Sequence, residues 1–156
     1  MRFITLNGVK LLVYQNGMVL RFHKGTTNKY IVKGWNLAHC HIDDGGYKRL
    51  NLAKKSYKVH RIIACAFLGY DLQNDIRVID HIDRNKLNNS ISNLRIVTRQ
   101  QNNFNTNSKG VRYDKRYNNY QSRICVDGKS FHLGIFQTED EARQAYLIAK
   151  QKYHII

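Results

Sequence analysis

Apolar and polar positions along the chain change period several times, and each change marks an element. Val9 to Phe22 alternates around Asn16-Gly17, a dipeptide suited to the left-handed turn of a hairpin, so a β-hairpin is expected there. Tyr30 to Leu37, Gly46 to Leu52 and Lys55 to Val59 read as further short strands. From Val59 to Leu68 the pattern becomes helical, with Ile62, Ile63, Cys65, Ala66 and Phe67 apolar. A β-branched run, Arg77 to Ile79, breaks at the polar turn Asp83-Arg84-Asn85-Lys86, and Leu94 to Val97 resumes as a strand. Thr98 stands where a helix N-cap is needed, and Gln101 three residues on completes a capping box. The order predicted is strand, turn, strand, helix, with Asn102 on the first full turn of that helix and the helix Val59 to Leu68 packed behind the ribbon.

The C-terminal third has its own order. Three strands, Gly110 to Asp114, Tyr120 to Val126 and Lys129 to Leu133, are expected around the polar turns Arg116 to Asn119 and Asp127-Gly128. Thr138 and Glu141 form another capping box, and Ala142, Ala145, Tyr146, Ala149 and Tyr153 recur on one helical stripe that reads as core. The fold class is therefore α+β. Short N-terminal strands and a helix lead into a ββα motif at about 77–105, and a three-stranded antiparallel sheet packed on one helix follows. Residues 1–105 and 108–156 are expected to form two small domains, joined by the polar stretch Asn105-Thr106-Asn107-Ser108.

Charge narrows the partners. Lys plus Arg number 26 against 11 Asp plus Glu, a formal charge of +15 that attracts a polyanion and supplies a sequence-independent binding term. Residues 1–105 carry 17 basic and 6 acidic side chains, residues 106–156 carry 9 and 5, and Glu is absent before Glu139. Lys24, Lys29, Lys33, Lys48, Arg49, Lys54 and Lys55 extend a basic track along the N-terminal strands. A membrane surface also attracts cations, but the chain has no apolar run of spanning length and no signal pattern at Met1-Arg2-Phe3-Ile4, so a cytosolic protein is expected. Cys40, Cys65 and Cys125 are odd in number and widely spaced, as reduced thiols are. There is no Cys-x-x-Cys pair, and His39-Cys40-His41 reads as a polar patch at a strand end, so no structural zinc is expected.

The chemistry concentrates in the ribbon. A hard divalent cation such as Mg²⁺, or Mn²⁺ in its place, keeps most of its waters and needs few protein donors, which the Asp80 carboxylate and the Asn102 amide oxygen can supply. His81, with an ordinary pKa of about 6.5, can take a proton from water near neutrality. Neighbours in a regular strand point to opposite faces, so Asp80 and His81 can share a site only where the strand ends or bends. Asp83, Asn85, Asn88 and Asn89 read as turn-closing side chains.

Taken together, Asp80, His81, Asn93 and Asn102 resemble the HNH nuclease family, whose ββα-metal site has a His base, a structural Asn and a metal ligand on the helix. The likeness is to the phage homing endonuclease branch, in which Asn replaces the final His. It implies His81 as general base, Asp80 and Asn102 as metal ligands, with Asn103 as the neighbouring possibility, and Asn93 as the residue of the catalytic set that ties the ribbon together. Val59-His60-Arg61-Ile62-Ile63-Ala64 is similar to the helix that precedes the motif in these enzymes, with His60 structural or contacting phosphate. Gly110-Val111-Arg112-Tyr113, Leu133-Gly134-Ile135-Phe136, Thr138 and Glu141-Ala142-Arg143-Gln144-Ala145-Tyr146 resemble an APETALA2-type (ethylene-response-factor-like) DNA-binding domain. That resemblance implies a sheet inserted in a major groove, with Arg112, Arg116, Arg123 and Lys129 as its DNA-binding cations and Tyr120 in the place of a family Trp. The function implied is metal-assisted hydrolysis of double-stranded DNA to 5′-phosphate and 3′-hydroxyl ends. A DNA-binding regulator with a decayed nuclease motif, and a binder of single strands or RNA, are the other classes open at this stage, and monomer and homodimer are not distinguished.

Overall fold

The computed structural model describes residues 1–24, 33–105 and 110–153, which divide into two compact units, Met1–Thr98 and Arg99–Ile156. The division falls at Thr98, ahead of the stretch 105–108 read as a linker, of which 106–108 lie outside the described residues. Lys29 and Lys109 and the first residues of the expected strand from Tyr30 also lie outside them.

Unit 1 begins with a meander of β1 (Arg2–Leu6), β2 (Val9–Val13), β3 (Val19–His23) and β4 (Gly34–Leu37) in that spatial order. The hairpin about Asn16-Gly17 forms as its dipeptide dictates: Gly17 sits at φ 88°, Tyr14 N–H donates to Met18 O at 2.9 Å, and Val13 pairs with Val19. The earlier hairpin, β1 with β2, was not anticipated. It turns on Asn7 and Gly8, at φ 48° and 73°, the same chemistry as the second turn. A second meander joins β5 (Cys40–Ile42), β6 (Lys48–Leu52) and β7 (Lys55–Lys58), and His39-Cys40-His41 crosses the start of β5. The expected strand from Gly46 starts two residues later, because Gly46, at φ 78°, belongs to the turn in which Gly46 N–H donates to Asp43 O.

Helix α1 (Val59–Leu68) supplies the centre of this unit: Val59, Ile62, Ile63 and Ala64 are buried with Leu11, Val13, Val19, Leu50 and Leu52. Each large apolar side chain so buried contributes roughly 1.5–3 kcal/mol. Gly69, at φ 69°, ends the helix in the left-handed conformation that Gly adopts without Cβ cost. The helix packs against the ribbon of β8 (Val78–His81) and β9 (Leu94–Val97), through Ile79 and Leu94. β8 begins after Arg77, which was read as its first residue. Arg77 is instead held in a turn by Asp75, whose two carboxylate oxygens accept from Arg77 Nε at 2.9 Å and Nη2 at 2.7 Å.

Unit 2 holds the short helix α2 (Arg99–Phe104), the sheet of β10 (Val111–Asp114), β11 (Asn119–Val126) and β12 (Lys129–Phe136), and helix α3 (Glu139–Tyr153). The sheet order is β10-β11-β12 and α3 packs on all three strands. β12 runs three residues past the Leu133 expected as its end, because a bulge opposite Ser122/Arg123 absorbs the irregular backbone and Gly134, at φ 143°, lets the strand continue. The Thr138–Glu141 capping box is reciprocal: Thr138 N–H donates to Glu141 Oε2 at 3.2 Å and Glu141 N–H to Thr138 Oγ1 at 3.3 Å. Ala142, Tyr146 and Ala149 are buried, with Ile124 and Ser122 beneath them. Tyr153 corrects the expected stripe. It is 45 % exposed and stacks on Phe131 at 6.3 Å, because the helix outruns the core at its last turn. No helix among the described residues is long and apolar enough to cross a membrane.

Gly110 is where unit 2 tolerates no side chain: at φ 66°, a Cβ would lie 2.0 Å from Tyr146 Cδ2. The left-handed backbone costs a substituted residue roughly 1–2 kcal/mol and overpacking a buried ring about 1–3 more. Gly110→Ala is therefore expected to lower the melting temperature of the β10–α3 region, read by thermal unfolding and by hydrogen exchange at Ile124; unchanged protection there would contradict this packing.

Candidate active site

The β8–β9 ribbon pairs Val78 with Val97, Ile79 with Ile96, Asp80 with Arg95 and His81 with Leu94. Alternation therefore sends Ile79 and His81 to one face and Asp80 with Arg95 to the other. β8 ends at His81, where Arg84 N–H donates to His81 O at 2.9 Å, but the ladder with β9 stays regular through that residue, so no bend turns Asp80 and His81 to one face. Both side chains are 5 % exposed. Arg95 donates to Asp80 Oδ2 from Nε at 2.9 Å and Nη2 at 2.7 Å. A carboxylate has two oxygens and about four lone-pair sites, so this pairing engages one side of the group.

The loop that follows is organised by Asp83 and Asn93. Asp83 Oδ1 accepts from Asn85 N–H at 2.7 Å and Asn93 Nδ2 at 2.8 Å, and Oδ2 accepts from Asn88 Nδ2 at 2.7 Å. The Asn88 amide first, and then the Asn85 N–H, the Asn93 amide and the His81 charge, hold the Asp83 carboxyl below its ordinary pKa against an opposing desolvation. Asn93 Oδ1 accepts from Asp83 N–H at 3.0 Å while Nδ2 also donates to Asn88 O at 2.8 Å. Asn93 thus spans the loop from its first residues to its last.

His81 is enclosed by Asn89, expected only to close a turn, by Tyr47, which carries no sequence signal, and by His60, expected to be structural or to contact phosphate. Its Nε2 lies 3.1 Å from Asn89 Oδ1, the edge of the His60 ring meets it at 4.9 Å between centroids and 84°, and Tyr47 lies 6.2 Å away. Tyr47 carries ammonium groups over its ring, Lys58 Nζ at 3.7 Å and Lys86 Nζ at 4.8 Å, and Lys86 also donates to Gly45 O. Burial, then the charges of Arg49, Arg61 and Lys86, push the Lys58 ammonium below its ordinary pKa, with Asp43 opposing. The spacing of Asn89 and Tyr47 carries no periodic signal, and the loop 82–93 is too long to fix the register that sets Arg95 opposite Asp80.

In unit 2, Asn102 lies half-buried on α2 and Asn103 beside it is exposed. Along β11, Ser122 and Ile124 are buried on the side of α3, and Arg123 and Cys125 are exposed on the other. Arg112, exposed, pairs with Gln121 and so shares the open face with Arg123. Arg116 is exposed in the β10–β11 turn and Lys129 opens β12. Tyr120 has the parity of Ser122 and Ile124, and its ring lies 5.0 Å from that of Tyr113, so it stands on the face opposite Arg123. Among the described residues no three His, Cys, Asp or Glu side chains cluster as a metal site.

His60, 5 % exposed, stands behind His81 and offers no surface to a phosphate; of the two roles open to it, burial leaves the structural one. Its Nδ1 has no hydrogen-bond partner, and burial first, then the charges of His81, Lys58 and Arg61, lower its pKa to about 3. The unfolded chain protonates this imidazole below about pH 6.5. Between that pH and about 3 the unfolded state holds more protons, so stability is complete above the window and falls as pH falls through it. His60→Phe is expected to flatten that acid limb in urea unfolding followed from neutral pH downward, and equal slopes in the two proteins would reject a neutral buried His60.

With this geometry in hand, comparison with known proteins is informative. Residues 57–104 match the family model for HNH endonucleases. An uncharacterised HNH endonuclease of Acanthamoeba polyphaga mimivirus is 41 % identical over 101 residues, 62 % of this chain and 53 % of that one. The DNA endonuclease I-HmuI of Bacillus phage SP01 is 38 % identical over 91 residues, 55 % of this chain and 51 % of that one. The chain thus spans about half the length of the curated relatives it matches. A solved structure titled for DNA binding and cleavage by the HNH homing endonuclease I-HmuI covers 97 % of this chain and 87 % of its own, at 24 % identity and a TM-score of 0.49. The segment that holds α1, the ribbon and its polar loop is thus the part of this chain that is similar to HNH endonucleases, among them phage and viral ones.

Proposed function

We propose that the protein is a metal-dependent DNA endonuclease of homing type. The observation that carries this reading is His81, a buried imidazole at the end of β8 that follows a buried carboxylate in sequence, inside the segment matched by the HNH family. In this mechanism His81 takes a proton from the water that attacks the phosphodiester, and the enclosing rings of His60 and Tyr47 exclude competing solvent orientations.

Asp80 is the proposed carboxylate ligand of a divalent ion, Mg²⁺ or Mn²⁺, as a hard oxygen donor, and Arg95 is the cation with which such an ion would share it. Asn102 is the proposed second ligand, on the ground of its spacing from His81 along the chain. When bound, such an ion offsets negative charge developing on the phosphate oxygens. Lys58 and Lys86, held over Tyr47, are cations available to a phosphate backbone near the base.

The C-terminal sheet is proposed as an APETALA2-like duplex anchor. Arg112 and Arg123 on its open face are its principal cations, flanked by Arg116 and Lys129. Tyr120, on the opposite face, supports the sheet instead of reading bases. The relative I-HmuI is named as a DNA endonuclease, which supports duplex DNA as the substrate proposed here.

A second reading, a DNA-binding regulator without cleavage, is favoured by one observation: the Arg95 guanidinium already occupies Asp80 Oδ2. A Mg²⁺-dependent plasmid nicking assay separates the two. His81→Ala is expected to lose nicking while duplex binding by gel shift stays within about twofold. Nicking at near-normal rate in that variant would remove His81 from the mechanism, and a wild type that binds without nicking would favour the regulator. Arg112→Ala or Arg123→Ala is expected to weaken binding and to reduce the slope of log affinity against log salt by about 1; an unchanged slope would place the duplex elsewhere.

A further inference from the structure

We infer that Asn89 is a positioning residue for His81, fixing the imidazole as its Nε2–H tautomer so that Nδ1 is the nitrogen that acts as base. The inference rests on the reading of His81 as the general base and adds the atom that performs the step and the side chain that selects it.

The argument is a matter of which atoms can donate. Asn89 is 4 % exposed and its side chain touches two partners, Leu87 O at 3.2 Å and His81 Nε2 at 3.1 Å. A carbonyl oxygen only accepts, so the end of the amide that faces Leu87 O is Nδ2. The other end, facing the ring, is then Oδ1, and an amide oxygen also only accepts. Nε2 must supply the hydrogen. In a neutral imidazole the lone pair consequently sits on Nδ1. The reverse tautomer would put two acceptors against each other in a buried site and leave both without a hydrogen.

The amide is not free to turn away, because its backbone is held from outside the ribbon. Asn89 N–H donates to Leu87 O at 3.1 Å, and two residues on, Ile91 N–H donates to Gln15 O at 2.7 Å in the β2–β3 turn. Ser90 Oγ donates to the same carbonyl at 3.4 Å. Gly17 of that turn lies so close that a Cβ there would stand 3.0 Å from Asn89 C and O. A neutral amide is also the acceptor suited to this position. It orients the ring without placing a second negative charge where a phosphate must approach.

The test reads the tautomer directly. Long-range ¹H–¹⁵N spectra of uniformly labelled full-length protein, with the His81 ring assigned by its loss in His81→Gln, are expected to show Nε2 protonated and Nδ1 unprotonated above the ring's titration. In Asn89→Ala the two nitrogens should move toward a mixture of tautomers. Plasmid nicking should then fall on the order of 10–100-fold in kcat with KM little changed, as for loss of an orienting outer-shell partner. Asn89→Asp, which keeps an acceptor, should restore the wild-type ring pattern. A wild-type ring with its proton on Nδ1, or an Asn89→Ala ring identical to wild type, overturns the proposal. Because the wild-type spectrum needs no second variant to fold, the proposal stays testable if Asn89→Ala does not. Absence of nicking in wild type alongside an Nε2–H ring would count against the nuclease reading alone.

Discussion

The pairing of the Asp83 carboxylate with the Asn93 amide, across ten positions of sequence, is the constraint on which the candidate site depends. Asn88 is bonded to both partners, and Ile82 N–H donates to Asn93 O as the strands part. In a partly buried setting such bonds strengthen one another, and a half-made network costs more than an apolar substitute. The loop therefore behaves as one rigid piece, and His81 is presented by a stiff frame instead of by a flexible connection between strands.

Around that frame, apolar packing and charge have separate tasks. Ile62, Ile63, Ile79 and Leu94 set the distance between α1 and the ribbon, which in turn brings the His60 ring against His81. Desolvation keeps His60 neutral, so the ring beside the proposed base adds bulk without adding a second cation. Asp80 is arranged oppositely, its carboxylate matched across the ribbon by the Arg95 guanidinium. Neighbours in sequence thus occupy different electrostatic surroundings because the pleat sends them to different faces.

Much of this was legible in residues whose effect is local. Asn16-Gly17, the Thr138–Glu141 box and the Val59–Leu68 helix follow from backbone preference and periodicity, and the structure contains all three. Asn7-Gly8 carries the same dipeptide signal, after a β1 as long as β2 and β3. What local reasoning could not supply were relations set by chain path: Arg77 captured by Asp75, Tyr153 beyond the reach of the core, and Asn89 turned inward to a ring eight positions away. Asn89 sits among polar neighbours that do close turns, and nothing in its surroundings distinguishes it until the loop is folded.

The contact of the β2–β3 turn with this loop has a consequence for how the family segment can be used. Gln15 and Gly17 lie forty or more positions ahead of residue 57, where the match begins, yet they support Asn89, Ser90 and Ile91. The matched segment is consequently not a portable cassette. Transplanted without the N-terminal hairpin, it would keep every residue of its motif and lose the jig against which its loop is trued, so the modular boundary drawn by similarity and the boundary drawn by mechanics do not coincide.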